Sequence, residues 1–171
     1  ILSIFFAIGL FMVLPYLATR LISKYIISKA LLNFIEGIVR LLIFVIYVSL
    51  ISMMKDIKRT FMYHGAEHKC INCIENGARL TPENVKNSSR YHKRCGTSFL
   101  FFVMFISIVF FIFIRVDNVA LQILVRILLV PVIAGVSYEV IRWAGKNDNA
   151  FVRVLSKPGM WFQKLTTREP D

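Results

Sequence analysis

The chain has 171 residues, of which 57% are hydrophobic and only 18% charged, and its mean hydropathy of +0.64 excludes an ordinary soluble globular domain. Its net charge of +11 would suggest nucleic-acid binding in a soluble protein, but in a membrane protein it is typical of loops held against anionic lipid. The chain begins at Ile1 inside an apolar run without the charged start of a signal peptide, so we expect it to be part of a longer protein.

Four apolar stretches are long enough to cross the roughly 30 Å hydrocarbon core of a bilayer as helices. They cover residues 1–19, 31–52, 97–116 and 119–143. Pro15 predicts a kink at the end of the first stretch, and Pro131 with Gly135 predicts a break in the fourth. The expected fold class is therefore an all-α membrane protein, a four-helix transmembrane bundle.

This prediction divides the chain into four parts. Transmembrane helices 1 and 2 occupy residues 1–52, a polar His/Cys loop 53–96, helices 3 and 4 residues 97–143, and an amphipathic tail 144–171. The loop and the tail region from residue 142 contain fifteen Lys or Arg, against four in the two connections expected on the opposite side. By the positive-inside rule, the loop and the tail face the cytoplasm, which in a bacterium places the chain in the inner membrane.

The loop contains the motif H-x-x-E-H, formed by His64, Glu67 and His68. On a helix from about residue 55 to 75, the two histidines lie one turn apart on the same face. This is the inverted zinc-hydrolase pattern, in which two imidazoles bind the metal and the glutamate takes a proton from water. The four-helix bundle is therefore expected to carry a helical cytoplasmic metal-binding loop. The predicted cofactor is zinc or another divalent transition metal, with Glu67 as the catalytic base.

A metal site of this kind needs a third protein ligand, and His92 and Cys95 are the candidates downstream in "YHKRCGTSF". A rival set, formed by Cys70 and Cys73 with His92 and Cys95, has the spacing of a closed structural zinc site. All three histidines and all three cysteines of the chain lie between residues 64 and 95. A third interpretation is that the histidines bind no metal and instead cap helices or contact lipid headgroups.

Five sequence strings together resemble the YqhQ-like family of bacterial multi-pass membrane proteins, whose function is unknown and which are commonly labelled predicted metal-dependent enzymes. The strings are "MYHGAEHKCINCIENG", "HKRCGTSFL", "EGIVRLLIF", "LLVPVIAGVSYEVIRWAG" and "PGMWFQKLTTREPD". The resemblance covers residues from about 30 to 171. It implies that the family motif is matched by His64, Glu67, His68, His92 and Cys95, with Cys70 and Cys73 outside it. Family members also carry an upstream region with a "GGQAVMEGVMMR"-like stretch, which nothing in this chain matches.

Charged residues also occur inside the predicted membrane helices, namely Glu36, Arg40, Arg126, Glu139 and Arg142. A lone charge at the bilayer centre costs about 2.5–3.5 kcal/mol on insertion scales, so such residues normally pair inside the bundle. Glu36 can pair with Arg40 or with Arg126 and serve structure alone. Alternatively, these residues form a polar path or contact a substrate headgroup, with Glu139 and Arg142 nearest the cytoplasmic loop.

Three functions are compatible with these features. The first is a metal-dependent hydrolase acting on a membrane-resident substrate. The second is a membrane scaffold or accessory subunit in which zinc only fastens the loop. The third is a docking factor whose basic face meets anionic headgroups, another membrane protein, or a ribosome, translocation or lipid-handling complex. Polar faces on the second and fourth helices also permit a homo-oligomer.

Overall fold

The computed structural model describes residues 2–114, 116 and 118–170, and within them the chain is helical without any strand. Ile1, Arg115 and Asp171, which belong to the predicted first helix, third helix and tail, lie outside the described residues. The α-helices are α1 (Leu2–Ile8), α2 (Leu14–Ile22), α3 (Lys29–Ile51), α4 (Lys55–Glu75), α5 (Pro82–Asn87), α6 (Gly96–Ile112), α7 (Val119–Lys146) and α8 (Ala150–Thr166). The predicted all-α class is confirmed for this part of the chain.

Three helical segments are long and apolar enough to cross a membrane, namely Phe5–Tyr25, Lys29–Ile51 and Ala120–Lys146. They correspond to the first, second and fourth predicted spans. The third predicted span forms α6, which is apolar but has only 17 residues. The prediction of membrane-type helices is thus confirmed for three stretches, and the four-helix bundle remains a prediction.

The two prolines affect their helices differently. A π-helical turn, Gly9–Val13, precedes α2, whose second residue is Pro15, so the helix is irregular in the region where a kink is predicted. In contrast, α7 continues through Pro131 and Gly135, and the predicted break there is wrong. Apolar surroundings favour a continuous helix at such a position, because an interrupted backbone has no water to satisfy its polar groups.

The chain divides into two compact units, and the first comprises Ile1–Tyr47 and Phe102–Glu139. Within it, α3 approaches α6 closely at Gly37, where a Cβ atom would lie only 2.5 Å from Cγ1 of Ile108. The Asn33 side chain donates hydrogen bonds of 2.9 Å to the carbonyls of Phe111 and Ile114. It thus supplies a donor to backbone carbonyls at the C-terminal end of α6. These contacts fix α3 against α6 around a set of buried charged groups.

The second unit comprises Val48–Phe101 and Val140–Asp171 and contains α4, α5 and α8. The predicted helix over residues 55–75 is confirmed by α4. The predicted amphipathic tail forms α8. Its apolar side packs against the start of α6, where the ring centroids of Phe162 and Phe101 are 6.2 Å apart. Gln163 on the same side is fully buried and donates to the carbonyl of His92 and to the hydroxyl of Ser98. The second unit therefore holds the whole His/Cys region together with the tail.

Candidate metal centre

Helix α4 brings His64 and His68 together because they are one turn apart on the same face. Their ring centroids are 4.4 Å apart in an edge contact. His68 is buried, with 3% of its surface exposed, and His64 is half-buried. Two imidazoles are thus held side by side in a partly desolvated place, as the H-x-x-E-H motif predicts.

Each imidazole is oriented by a backbone carbonyl. Nδ1 of His64 lies 2.8 Å from the carbonyl oxygen of Thr166, and Nδ1 of His68 lies 2.7 Å from that of Arg90. A carbonyl only accepts, so Nδ1 carries the proton in both rings, and in the neutral ring Nε2 keeps its lone pair. Histidines that bind metals are typically fixed in this manner by their second nitrogen.

The third member is Cys95, which lies just before α6. Its Sγ is 3.3 Å from Nε2 of His64 and 3.1 Å from the Thr97 hydroxyl, and it accepts a hydrogen bond from the Thr97 amide. Burial raises the pKa of the Cys95 thiol, but hydrogen bonds from His64, His68 and Thr97 outweigh it and lower this pKa to about 5. The cysteine is therefore a thiolate at neutral pH, which is the form that binds metals.

The same contact acts on the histidine. The hydrogen bond to Cys95 raises the pKa of His64; burial lowers it to a smaller extent, and the Thr166 carbonyl adds to the rise. The contact between Nε2 of His64 and Sγ of Cys95 therefore favours the charged form of each group. A divalent cation at this place would be held by the Cys95 thiolate and by Nε2 of His64 in its neutral form.

The donor atoms of these three residues fit a zinc ion. Nε2 of His64, Nε2 of His68 and Sγ of Cys95 are candidate donors, and the ligand atoms of the three residues lie within 4.8 Å of one another. Tetrahedral zinc, with bonds of about 2.0 Å to nitrogen and 2.3 Å to sulfur, separates such donors by about 3.5 Å. The arrangement therefore needs little movement to hold the ion.

His92 is placed differently from its predicted position as a ligand. Its ring lies 5.8 Å from that of His68, but its Nε2 is 3.1 Å from a carboxylate oxygen of Glu75. The other Glu75 oxygen accepts a hydrogen bond of 2.6 Å from Arg94. The pKa of Glu75 is lowered by the hydrogen bond from His92, and Arg94 contributes further. His92 thus lies beside the cluster, in a hydrogen-bond network of its own.

Glu67, the predicted base, lies on the exposed side of α4. It does not belong to the ligand cluster found among the described residues, although its charge raises the pKa of His64. Cys70 is half-buried, whereas Cys73 is fully buried with its Sγ 3.4 Å from the carbonyl oxygen of Arg79. None of the three cysteines, all of which the structure describes, forms a disulfide, and among the described residues the structure brings only Cys95 to the two histidines.

Three of the five predicted intramembrane charged residues meet in one group. Glu36, Arg40 and Arg126 meet in the first unit through hydrogen bonds of 2.6–3.1 Å. Glu139 and Arg142, in contrast, are exposed on α7. The sequence predicted a pair of Glu36 with Arg40 or with Arg126, and the structure shows Glu36 paired with both.

The sequence analysis missed the groups that support the cluster. The carbonyls of Thr166 and Arg90 belong to segments far from α4 in sequence, and a backbone oxygen has no sequence signature. The end of the tail is tied to α4 by a hydrogen bond from the Arg168 amide to the Phe61 carbonyl, 2.8 Å long. The only available signal was the string "PGMWFQKLTTREPD", which the family resemblance includes without indicating a contact with the histidines.

Comparison with known proteins agrees with this resemblance and extends it. The sequence profile described as "Protein of unknown function (DUF1385)" matches residues 1–171, including the first helices. The curated "Uncharacterized protein YqhQ" of Bacillus subtilis (strain 168) is 37% identical over 171 residues, which cover 99% of this chain and 54% of the relative. The chain thus spans about half the length of that relative. No solved structure matches. Since the profile and the relative both cover essentially the entire chain, it belongs to the DUF1385 family, to which the YqhQ-like proteins correspond.

Proposed function

We propose that this chain is part of a metal-dependent hydrolase of the bacterial inner membrane, with a zinc-type centre at the cytoplasmic interface. The observation that carries the proposal is the convergence of two imidazoles and one thiolate whose other polar atoms are already satisfied. If the histidines only capped helices or contacted lipid, nothing would require the Nε2 atoms of both rings to face the same cysteine. The arrangement favours a built metal site over the alternative without a metal.

The number of ligands supports a catalytic metal. Closed structural zinc sites have four protein ligands, whereas catalytic sites typically have three and leave one position open. Among the described residues the cluster consists of His64, His68 and Cys95. A zinc ion bound there supplies a Lewis acid and lowers the pKa of water to about 7.

The residues of the chain would divide the remaining work. His64, His68 and Cys95 hold the metal, while the carbonyls of Thr166 and Arg90 keep both rings in the binding tautomer. Glu67 lies on α4 between the two histidines and affects His64 electrostatically. Its exposed carboxylate can accept a proton from an entering water and pass it to solvent or to a leaving group.

The three helices that are long and apolar enough to cross a membrane favour a membrane-resident substrate. A cavity of about 560 Å³ beside α4 is lined by the cations Lys55, Lys58 and Arg59, on the side of the helix away from His64 and His68. Its lining does not include the candidate ligands, but its positive charge favours attraction of an anionic headgroup to this part of the protein. A lipid or isoprenoid ester with an anionic head meets both conditions.

The test uses the full-length protein purified in detergent. We would measure bound metal by mass spectrometry and hydrolysis of p-nitrophenyl phosphate and p-nitrophenyl butyrate in mixed micelles. Glu67→Gln should keep the metal and lose hydrolysis, whereas His68→Ala should lose both. Absence of bound metal in the wild type, or full hydrolysis by Glu67→Gln, would contradict the proposal.

A structural metal in a non-enzymatic scaffold or accessory factor is a second candidate, because the cluster also connects distant segments. His64 contacts the tail through Thr166, and His68 contacts the segment before α6 through Arg90. A metal there would fasten both segments to α4 and present a basic face to a partner. In that case Glu67→Gln should leave function unchanged, while Cys95→Ala should release the loop and the tail, as measured by hydrogen exchange.

A further inference from the structure

The buried charges of the first unit are not balanced. Glu36 accepts hydrogen bonds of 2.6 and 3.1 Å from Arg126 and one of 2.7 Å from Arg40. Glu36 is 5% exposed and Arg126 7% exposed. In this group of described residues, one carboxylate therefore faces two guanidinium groups and leaves one positive charge in excess.

Both guanidinium groups also keep an unused donor. The Nε atoms of Arg40 and Arg126 are buried and have no hydrogen-bond partner among the described residues. Buried donors are nearly always satisfied, and those of a charged group especially so. Two unused N–H groups beside an excess positive charge indicate an anionic acceptor.

The arginines are held in place. The Asn33 amide donates to the carbonyls of Phe111 and Ile114, so that its oxygen faces Arg126 at 3.4 Å. The Phe111 ring lies 5.5 Å from the Arg40 guanidinium and 5.1 Å from that of Arg126. These contacts hold the guanidinium groups in fixed positions, which favours binding of an anion at a defined point.

Cavities surround this group. Arg126 lines two largely apolar cavities of about 240 Å³ each, which share Met12 and Ile127, and Arg40 lines one of them. One of these cavities also shares Tyr16 and Gln122 with a polar cavity of about 320 Å³. The polar cavity contains Glu36 and Asn33 together with the cations Arg20 and Lys29.

We propose that the first unit binds the phosphate group of an anionic membrane lipid at Arg126 and Arg40, with part of an acyl chain in the two apolar cavities. The phosphate oxygens accept from the two Nε–H groups, and Arg20 adds attraction from the polar side. The juxtaposition of unused guanidinium donors with apolar cavities is what distinguishes a lipid from a free anion. This proposal is independent of the metal centre, which lies in the other unit.

The test is a titration of the detergent-purified protein with dioctanoyl phosphatidylglycerol, followed by native mass spectrometry. Dioctanoyl phosphatidylcholine and inorganic phosphate are the comparison ligands. We expect phosphatidylglycerol to bind about tenfold more tightly than either. Phosphatidylcholine has the same phosphate, but its choline cation is repelled by the excess positive charge, and inorganic phosphate has no acyl chain to fill the apolar cavities. Equal binding of the two lipids would overturn the proposal, and so would equally tight binding of inorganic phosphate.

Three variants test which groups bind the lipid, and circular dichroism checks that each variant is folded. Arg126→Gln should weaken phosphatidylglycerol binding about tenfold, whereas Glu36→Gln, which removes the competing carboxylate, should keep or strengthen it. Met12→Trp fills the apolar cavities without removing a charge or a donor and should also weaken lipid binding. Unchanged lipid affinity in folded Arg126→Gln, or a loss in folded Glu36→Gln, would show that the charges serve structure alone.

Discussion

Gly65 lies directly against the backbone carbonyl of Arg168, so closely that a Cβ atom at position 65 would overlap the carbonyl oxygen. This contact lets the end of the tail run along α4, where the Arg168 amide donates to the Phe61 carbonyl. Two residues earlier in the tail, Thr166 provides the carbonyl that orients His64. The orientation of the candidate ligand His64 therefore depends on the absence of a side chain at Gly65.

Gly65→Ala should weaken metal binding without removing any ligand. The added methyl group displaces the tail, so that the His64 ring loses the acceptor of its Nδ1 proton. Loss of such a supporting contact typically weakens metal affinity by about 10–100-fold. The measurement is the apparent zinc Kd in competition with a fluorescent chelator.

Gly135→Ala is the matched control, because a Cβ atom there would meet nothing within 4 Å. It should bind zinc as the wild type does. Wild-type affinity in Gly65→Ala, with unchanged hydrogen exchange in the tail, would mean that the Thr166 carbonyl does not support the site.

His92→Gln should keep a full complement of metal. Its imidazole bonds to Glu75 and not to the cluster, and glutamine retains a donor for that contact. We expect a loss of about 1 kcal/mol in stability from the changed hydrogen bond. Metal content of the purified protein checks this, with His68→Gln as the variant expected to lose the ion. Loss of the metal from His92→Gln would restore His92 as a ligand.

The local part of the site was predictable from the sequence, since the spacing of His64 and His68 on α4 depends only on helix geometry. Cys95 was predicted as one of two possible additional ligands. The choice between Cys95 and His92 could not be made from spacing. It depends on the tertiary fold, which places the His92 ring in a hydrogen bond with Glu75 and not at the cluster. Sequence gives no measure of such competition between partners.

The fold was predictable to the extent that hydropathy reports it. Long apolar helices appear where the hydropathy is high, and α3 and α7 carry the expected buried charges. The continuity of α7 through Pro131 was mispredicted, because local propensity ignores the apolar surroundings of the helix. The packing of α8 on the protein through Phe162 and Gln163 also went unpredicted, since an amphipathic pattern does not say what its apolar face meets.

Cys73→Ala should lower stability but leave the metal in place. Cys73 is fully buried, and its thiol approaches the carbonyls of Ala78 and Arg79 where the chain turns after α4. Gly77, with a φ of 71°, forms that turn, and the Ala78 amide donates to the Cys73 carbonyl in the pattern that typically closes a helix. The loss of sulfur packing should cost about 1 kcal/mol, measured by thermal unfolding in detergent. Metal loss from this variant would support the rival cysteine set, and the half-buried Cys70, changed to Ala, serves as the control.

Glu75→Gln should destabilise the second unit in a pH-dependent way. The hydrogen bond from His92, with help from Arg94, lowers the pKa of Glu75 below its ordinary value of 4.5. A lowered pKa in the folded state means that the carboxylate stabilises the fold above about pH 4.5, and that this contribution is lost as the pH falls through the lowered value.

Because Glu75 is exposed, its contribution should stay below about 1 kcal/mol and shrink at high salt. The measurement compares the unfolding temperatures of wild type and Glu75→Gln at about pH 7 and about pH 3. The difference between the two proteins should be present at the higher pH and should decrease as the pH falls below 4.5. A difference that does not change with pH would mean that Glu75 acts through packing alone and that its bond to His92 carries no charge.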